Sequence, residues 1–213
     1  MRLYLSSYGF GNQPQKLVEL VGNNKRVAVI TNAGDYHTPA EQQERFEYDI
    51  EQFTQLGLKP EALDLREYLG DEHRLAKRLQ QYGLVWLRGG NSFILMRAIN
   101  ASGFDKIIKA LLVKDQVVYG GFSAGACVAS ANLHGIDIVD DPNLVPAGYE
   151  TEIPWQGLGL IDYAIAPHYQ SDHPESVDID QTVAYFQEHE LPFKTLRDGE
   201  VIIIQGDNEE LIT

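Results

Sequence analysis

Val117-Val118-Tyr119-Gly120-Gly121-Phe122-Ser123-Ala124-Gly125-Ala126-Cys127 is the stretch on which the fold turns. A short β-branched run enters Gly121-Phe122-Ser123-Ala124-Gly125, and small helix formers follow. Strand, sharp turn and helix in that order are the context a G-x-S-x-G nucleophile elbow requires. So tight a turn strains its central residue and crowds the neighbours, so glycines stand two before and two after Ser123. The serine oxygen is then expected clear of the sheet at a helix N-terminus, whose dipole favours negative charge developing nearby.

Working outward, strand-like and helix-like segments alternate. Arg2–Ser7 and Arg26–Thr31 read as strands, with a short helix over Pro14–Leu20 between them. Thr38, Pro39 and Glu41 form a capping-box start for a helix reaching about Leu56, stopped by Gly57. Leu58–Leu65 and Gly83–Arg88 read as strands around a charged helix over Asp71–Gln81. Ser92–Asn100 and Phe104–Val113 read as helices before the elbow. After a loose segment, Leu160–Ala166 resumes as a strand that runs into Pro167-His168-Tyr169. Pro174–His189 is a helix, and Phe193–Leu196 with Val201–Gln205 reads as a hairpin about Asp198-Gly199. Such alternation predicts an α/β fold: one doubly wound, mostly parallel sheet with helices on both faces. With no repeat or linker, a single domain over 1–213 is expected. Asn32, Gly89, Ser123 and His168 each follow a strand, so they are expected on one rim, beyond the carboxyl ends of the strands.

Composition narrows the function. The 213 residues carry a net charge of −14 and are 44% apolar, a globular composition that argues against a nucleic-acid surface. No run approaches a membrane span, so no membrane partner is expected. A single cysteine implies no disulfide framework and a reducing cytoplasm. From Asp115 to Phe193 there is no Lys or Arg, so any cation of the site must come from elsewhere in the chain.

A serine nucleophile needs a base and a group to orient that base. Of six histidines, His168 follows a buried strand on the expected rim and is the chosen base; His134 and His173 remain as loop alternatives. Asp137, between Ile136 and Ile138, is chosen as the orienting acid over Asp140, Asp141 and Asp162. The Ala124 N–H and the Gly89-Gly90-Asn91 segment supply candidate oxyanion donors. Cys127, four residues beyond Ser123, reads as a packed small hydrophobe, and no residue spacing suggests a metal or organic cofactor.

Three segments together resemble the peptidase E (aspartyl dipeptidase) family: Arg88-Gly89-Gly90-Asn91-Ser92-Phe93, Gly121-Phe122-Ser123-Ala124-Gly125-Ala126 and Ala166-Pro167-His168-Tyr169. The resemblance implies a class I glutamine amidotransferase-like (flavodoxin-like) fold with serine in place of that superfamily's cysteine. It implies a serine-type dipeptidase acting on dipeptides with N-terminal Asp. Ser123 is then the nucleophile, His168 the base, Gly90 and Ala124 the oxyanion donors, and the family's acid falls near Asp137. Arg88, where the family often has a small residue, and Asn91 are candidate substrate contacts; Arg88 is the cation nearest the oxyanion segment and suits a substrate carboxylate. The expected partner is a small peptide, with a homodimer left open. Competing readings are a cyanophycinase-like enzyme, an esterase, or a silent binding module.

Overall fold

The computed structural model describes Met1–Thr213. Seven strands form the main sheet: β1 (Arg2–Ser6), β2 (Arg26–Ile30), β3 (Lys59–Ala62), β4 (Leu84–Leu87), β5 (Val118–Phe122), and, near the C-terminus, β8 (Val201–Gln205) and β9 (Asn208–Ile212). Their order is β3-β2-β4-β5-β1-β8-β9. The first five are parallel, while β8 runs antiparallel to β1 and β9 antiparallel to β8. Two further short strands, β6 (Ala164–Ala166) and β7 (Phe193–Thr195), pair in parallel as a separate ribbon.

Side chains alternate between the faces with the strand period of two. Leu3, Leu5, Ala28, Ile30, Val85 and Leu87 join the larger core; Tyr4, Val27, Val29, Leu84 and Trp86 join the smaller one on the opposite face. Helices α1 (Gln15–Val21) and α2 (Pro39–Gln55) cover the smaller core through Leu17, Leu20, Val21 and Phe53. Helices α3 (Glu72–Leu79), α4 (Ser92–Ser102), α5 (Phe104–Val113), α6 (Ala124–Cys127) and α7 (Ser176–Glu188) contribute to the larger one. The chain moves outward along one face and returns along the other, as right-handed crossovers require. The Thr38–Glu41 capping box forms in both halves, with Glu41 N–H donating to Thr38 Oγ1 and Thr38 N–H to Glu41 Oε2.

Two expectations are corrected. Phe193–Thr195 does not pair with Val201–Gln205; it pairs with β6, and the real hairpin joins β8 to β9 through Gly206, which has φ +63°. The Leu160–Ala166 strand shrinks to Ala164–Ala166 and lies outside the main sheet, so His168 reaches the rim from the ribbon. No helix is long and apolar enough to cross a membrane.

Candidate active site

Ser123 closes β5 and precedes α6 with φ 49° and ψ −119°, a conformation that non-glycine residues rarely hold. A Cβ on Gly121 would lie 2.8 Å from the Leu87 carbonyl oxygen, and one on Gly125 2.1 Å from it, so the elbow packs against β4 only because both residues are glycine. Gly90, after β4, has φ +145°, and a Cβ there would sit 2.5 Å from the Ala33 carbonyl oxygen. Its N–H has no intramolecular acceptor. Ala124, the first residue of α6, has none within its helix.

The buried His168 ring is held by Asp198, whose Oδ1 lies 2.7 Å from Nδ1. Asp198 is fixed in turn: Oδ1 accepts the Ser7 hydroxyl at 2.8 Å, and its N–H donates to Ser171 Oγ. Ser7 ties the parts together at the end of β1. Its carbonyl accepts the Ser123 N–H at 3.1 Å and its hydroxyl oxygen accepts the His168 N–H at 2.8 Å. With Nδ1 engaged by a carboxylate, the favoured tautomer of His168 leaves Nε2 as the acceptor. Burial pushes the His168 pKa below the ordinary histidine value, although Asp198 opposes the shift. Ser123 Oγ makes no hydrogen bond here.

Ser123, His168, Gly89, Gly90 and Arg88 line one cleft of about 250 Å³, with Arg45, Tyr36, His173 and Glu175 around them. The acid expected at Asp137 is not there. Ile136–Ile138 is a 3-10 turn rather than an alternating strand, and Asp137 is an exposed side chain whose Oδ1 accepts the Gly135 N–H. Asn91, expected as a substrate contact, does not line the cleft. Its Oδ1 caps α4 by accepting the Phe93 and Ile94 N–H groups, and its Nδ2 donates to the Asp141 carbonyl. Arg88 lines the cleft as expected, but its Nε is bound at 2.7 Å by Asp49, a buried acid with its pKa pushed up to about 6 by burial. The histidine alternatives separate cleanly: His134 stacks on Trp155, and His173 stacks on the His168 ring at 3.7 Å. Cys127 is buried, and burial raises its thiol pKa, so it remains a packed thiol.

Two acids of the site carry no signal in the sequence that separates them from solvated neighbours. Asp198 belongs to what reads as a turn. Asp140, which accepts the Ser92 N–H at 2.8 Å, lines a small recess with Ser123, Ala124 and Glu175, and burial pushes its pKa up to about 7.

The model of peptidase family S51 matches residues 7–212. A Streptomyces coelicolor protein named peptidase E is 31% identical over 140 residues, 63% of this chain and 54% of its own length. A Drosophila melanogaster relative named "probable alpha-aspartyl dipeptidase" is 27% identical over 63% of this chain and 55% of its own length. The chain thus spans about half the length of these two relatives. A Listeria monocytogenes protein named only as an uncharacterized peptidase is 29% identical over 74% of this chain and 72% of its own. In three dimensions the fold matches that of a Listeria monocytogenes EGD-e crystal structure, with TM-score 0.80, 23% identity and coverage of 99% and 97% of the two chains. It also matches a peptidase from an acI-B1 actinobacterium, with TM-score 0.69, 16% identity and coverage of 99% and 86%. With nearly the whole length matched by the family model, the chain belongs to peptidase family S51.

Proposed function

We propose that residues 1–213 act as one serine peptidase domain that hydrolyses small peptides, above all dipeptides with an N-terminal aspartate, through an acyl-enzyme on Ser123. The observation that carries the reading is the contact from Asp198 to His168, at a cleft shared with Ser123 and with Gly90, whose N–H has no intramolecular acceptor. His168 Nε2 takes the serine proton as Oγ attacks the carbonyl carbon. The Gly90 and Ala124 N–H groups meet the oxyanion, and the imidazolium then gives its proton to the departing amine. Water attacks the acyl-enzyme by the same route in reverse. The reading also includes a cytoplasmic setting, which the single buried cysteine suits.

An aspartyl substrate brings an ammonium and a carboxylate close together. Glu175 and Asp140 border Ser123 and suit the ammonium; Arg88 and Arg45 line the same cleft and suit the carboxylate. The name of the Drosophila melanogaster relative, "probable alpha-aspartyl dipeptidase", supports this choice of substrate. A dipeptide panel with Ser123→Ala as control tests the reading. Turnover by Ser123→Ala is expected to fall by on the order of 10³-fold or more. Arg88→Met is expected to depress kcat/KM for Asp-Leu far more than for Ala-Leu. Undiminished turnover by Ser123→Ala would end the nucleophile assignment. Equal losses on both substrates would remove Arg88 from substrate recognition.

A further inference from the structure

The cleft continues past Arg88. A second hollow of about 350 Å³ adjoins the one before Ser123, and the two share Tyr8, Arg88 and Phe122 as walls. Every apolar side chain lining the second hollow is aromatic: Tyr8, Phe10, Tyr48, Trp86 and Phe122. Four of the rings form a continuous series, with Tyr48 standing apart on the rim. Phe10 meets Trp86 at 5.2 Å and 70°, Trp86 meets Phe122 at 6.2 Å, and Phe122 meets Tyr8 at 5.8 Å and 77°. At one end Phe10 and Trp86 rest on the buried Phe53. At the other, Tyr8 stands 6.1 Å from the His168 ring. Tyr8 and Tyr48 remain 53% and 57% exposed, leaving aromatic surface at the mouth uncovered.

The position of this hollow relative to the reaction follows from proton transfer. The departing amine takes its proton from the histidine, so it leaves on the histidine side of the nucleophile, away from the oxyanion donors. Ser123, His168, Gly89 and Gly90 line only the first hollow; Asp198, which holds His168 at Nδ1, lines only the second, and Tyr8, beside the His168 ring, lines both. The second hollow therefore opens from the first past Tyr8, beside the histidine and without the oxyanion glycines. Of its three charged walls, Arg88 is tied through Nε to Asp49 at 2.7 Å, and the Asp198 carboxylate is taken by His168 Nδ1 and the Ser7 hydroxyl, so what the hollow chiefly offers an incoming side chain is aromatic surface.

We propose that this hollow receives the side chain of the residue released by cleavage, and that the preferred substrate is a dipeptide whose second residue is aromatic. The proposal rests on the serine peptidase reading above. Calorimetric titration of the Ser123→Ala protein with Asp-Phe, Asp-Gly and Asp-Lys tests it directly. Burying an aromatic ring predicts Asp-Phe binding about tenfold or more tighter than the other two. Adding Gln52→Trp, at a part-exposed α2 position that lines the hollow, is expected to shrink that advantage to below about threefold and to leave Asp-Gly affinity unchanged. Adding Tyr48→Ala instead is expected to shrink it through loss of the rim ring. Equal affinities, tighter binding of Asp-Lys, no binding of any dipeptide, or an advantage that survives both variants would overturn the proposal. Turnover by the unmutated protein separates the two claims: cleavage of Asp-Gly as fast as Asp-Phe fails the hollow alone, whereas no dipeptide cleavage at all fails the peptidase reading.

Discussion

Ser123 and His168 share an unusual backbone state, with φ 49° and 58°, and conformations of this kind cost of order 1–3 kcal/mol each. Ser7 holds both in place, taking the Ser123 N–H on its carbonyl and the His168 N–H on its hydroxyl. Its own proton goes to Asp198, so one residue, through its carbonyl and its hydroxyl, sets the relative positions of three others. The role of the acid is separable by mutation. Asp198→Asn keeps the shape but removes the charge and frees the imidazole to take the wrong tautomer; kcat is expected to fall by about 10³–10⁴-fold. Asp137→Asn changes only a local turn contact and is expected to stay within about twofold of the parent. On the proposed mechanism the neutral imidazole is the active form, so kcat/KM should rise with pH through the His168 pKa, at a midpoint below the ordinary histidine value. In Asp198→Asn, where a charge that favours the imidazolium is gone, any residual activity should have its midpoint lower still. Comparable damage from Asp137→Asn would return the role to that residue. The Ser123 elbow was legible because its geometry writes a local pattern of glycines. Asp198 was not, because Asp-Gly also signals a turn, and long-range contacts through the β6–β7 ribbon, Ser171 and Ser7 bring that turn to His168.

At the scale of elements, the sequence is readable where local chemistry and tertiary packing demand the same thing. The buried strands β2, β4 and β5 and the Thr38 capping box follow from such agreement. It breaks down at the C-terminus. β9 reads Asn-Glu-Glu-Leu-Ile and is mostly exposed, an edge strand whose charges protect it from further pairing and hide its apolar pattern. The residue before α4 shows the reverse case, a local signal outweighed by a motif. An Asn just ahead of a helix is a favoured cap, and Asn91 takes that role, with a tether to the Asp141 carbonyl besides. Helix α4 is buried along most of its length and carries Ser92, whose N–H holds Asp140, so the cap matters for the wall behind Ser123. Asn91→Ala is expected to lower unfolding free energy by about 1–2 kcal/mol in urea titration, with kcat/KM on an aspartyl dipeptide within about threefold of the parent. A large kinetic loss at unchanged stability would instead restore Asn91 to substrate binding.

For the molecule as a whole, the net charge of −14 makes buried acids the informative ones, because most of the others are solvated. Asp140 and Asp49 are both pushed up by burial, from 3.8 to about 7 and about 6. The sign of their effect on stability follows from proton counting. Between pH near 4 and pH near 7 the folded chain retains a proton on Asp140 that the unfolded chain releases. Its contribution to stability is therefore largest in acid, declines as pH rises across that window, and is constant above it. Asp49 acts in the same direction over a narrower window. Asparagine at 140 can still accept the Ser92 N–H, and it never has to carry a buried charge. Asp140→Asn should therefore match the parent in thermal stability near pH 4 and exceed it near pH 8, the gap opening between those limits. If Asp140 also faces the substrate ammonium, the same variant should raise KM for Asp-Leu at pH 8, where the parent residue is charged, and much less at pH 5.5, where it is already protonated. A stability gap that is widest in acid would show that the Asp140 carboxylate is stabilised in the folded protein rather than penalised. A KM increase of the same size at both pH values would show that residue 140 acts on binding through shape rather than charge.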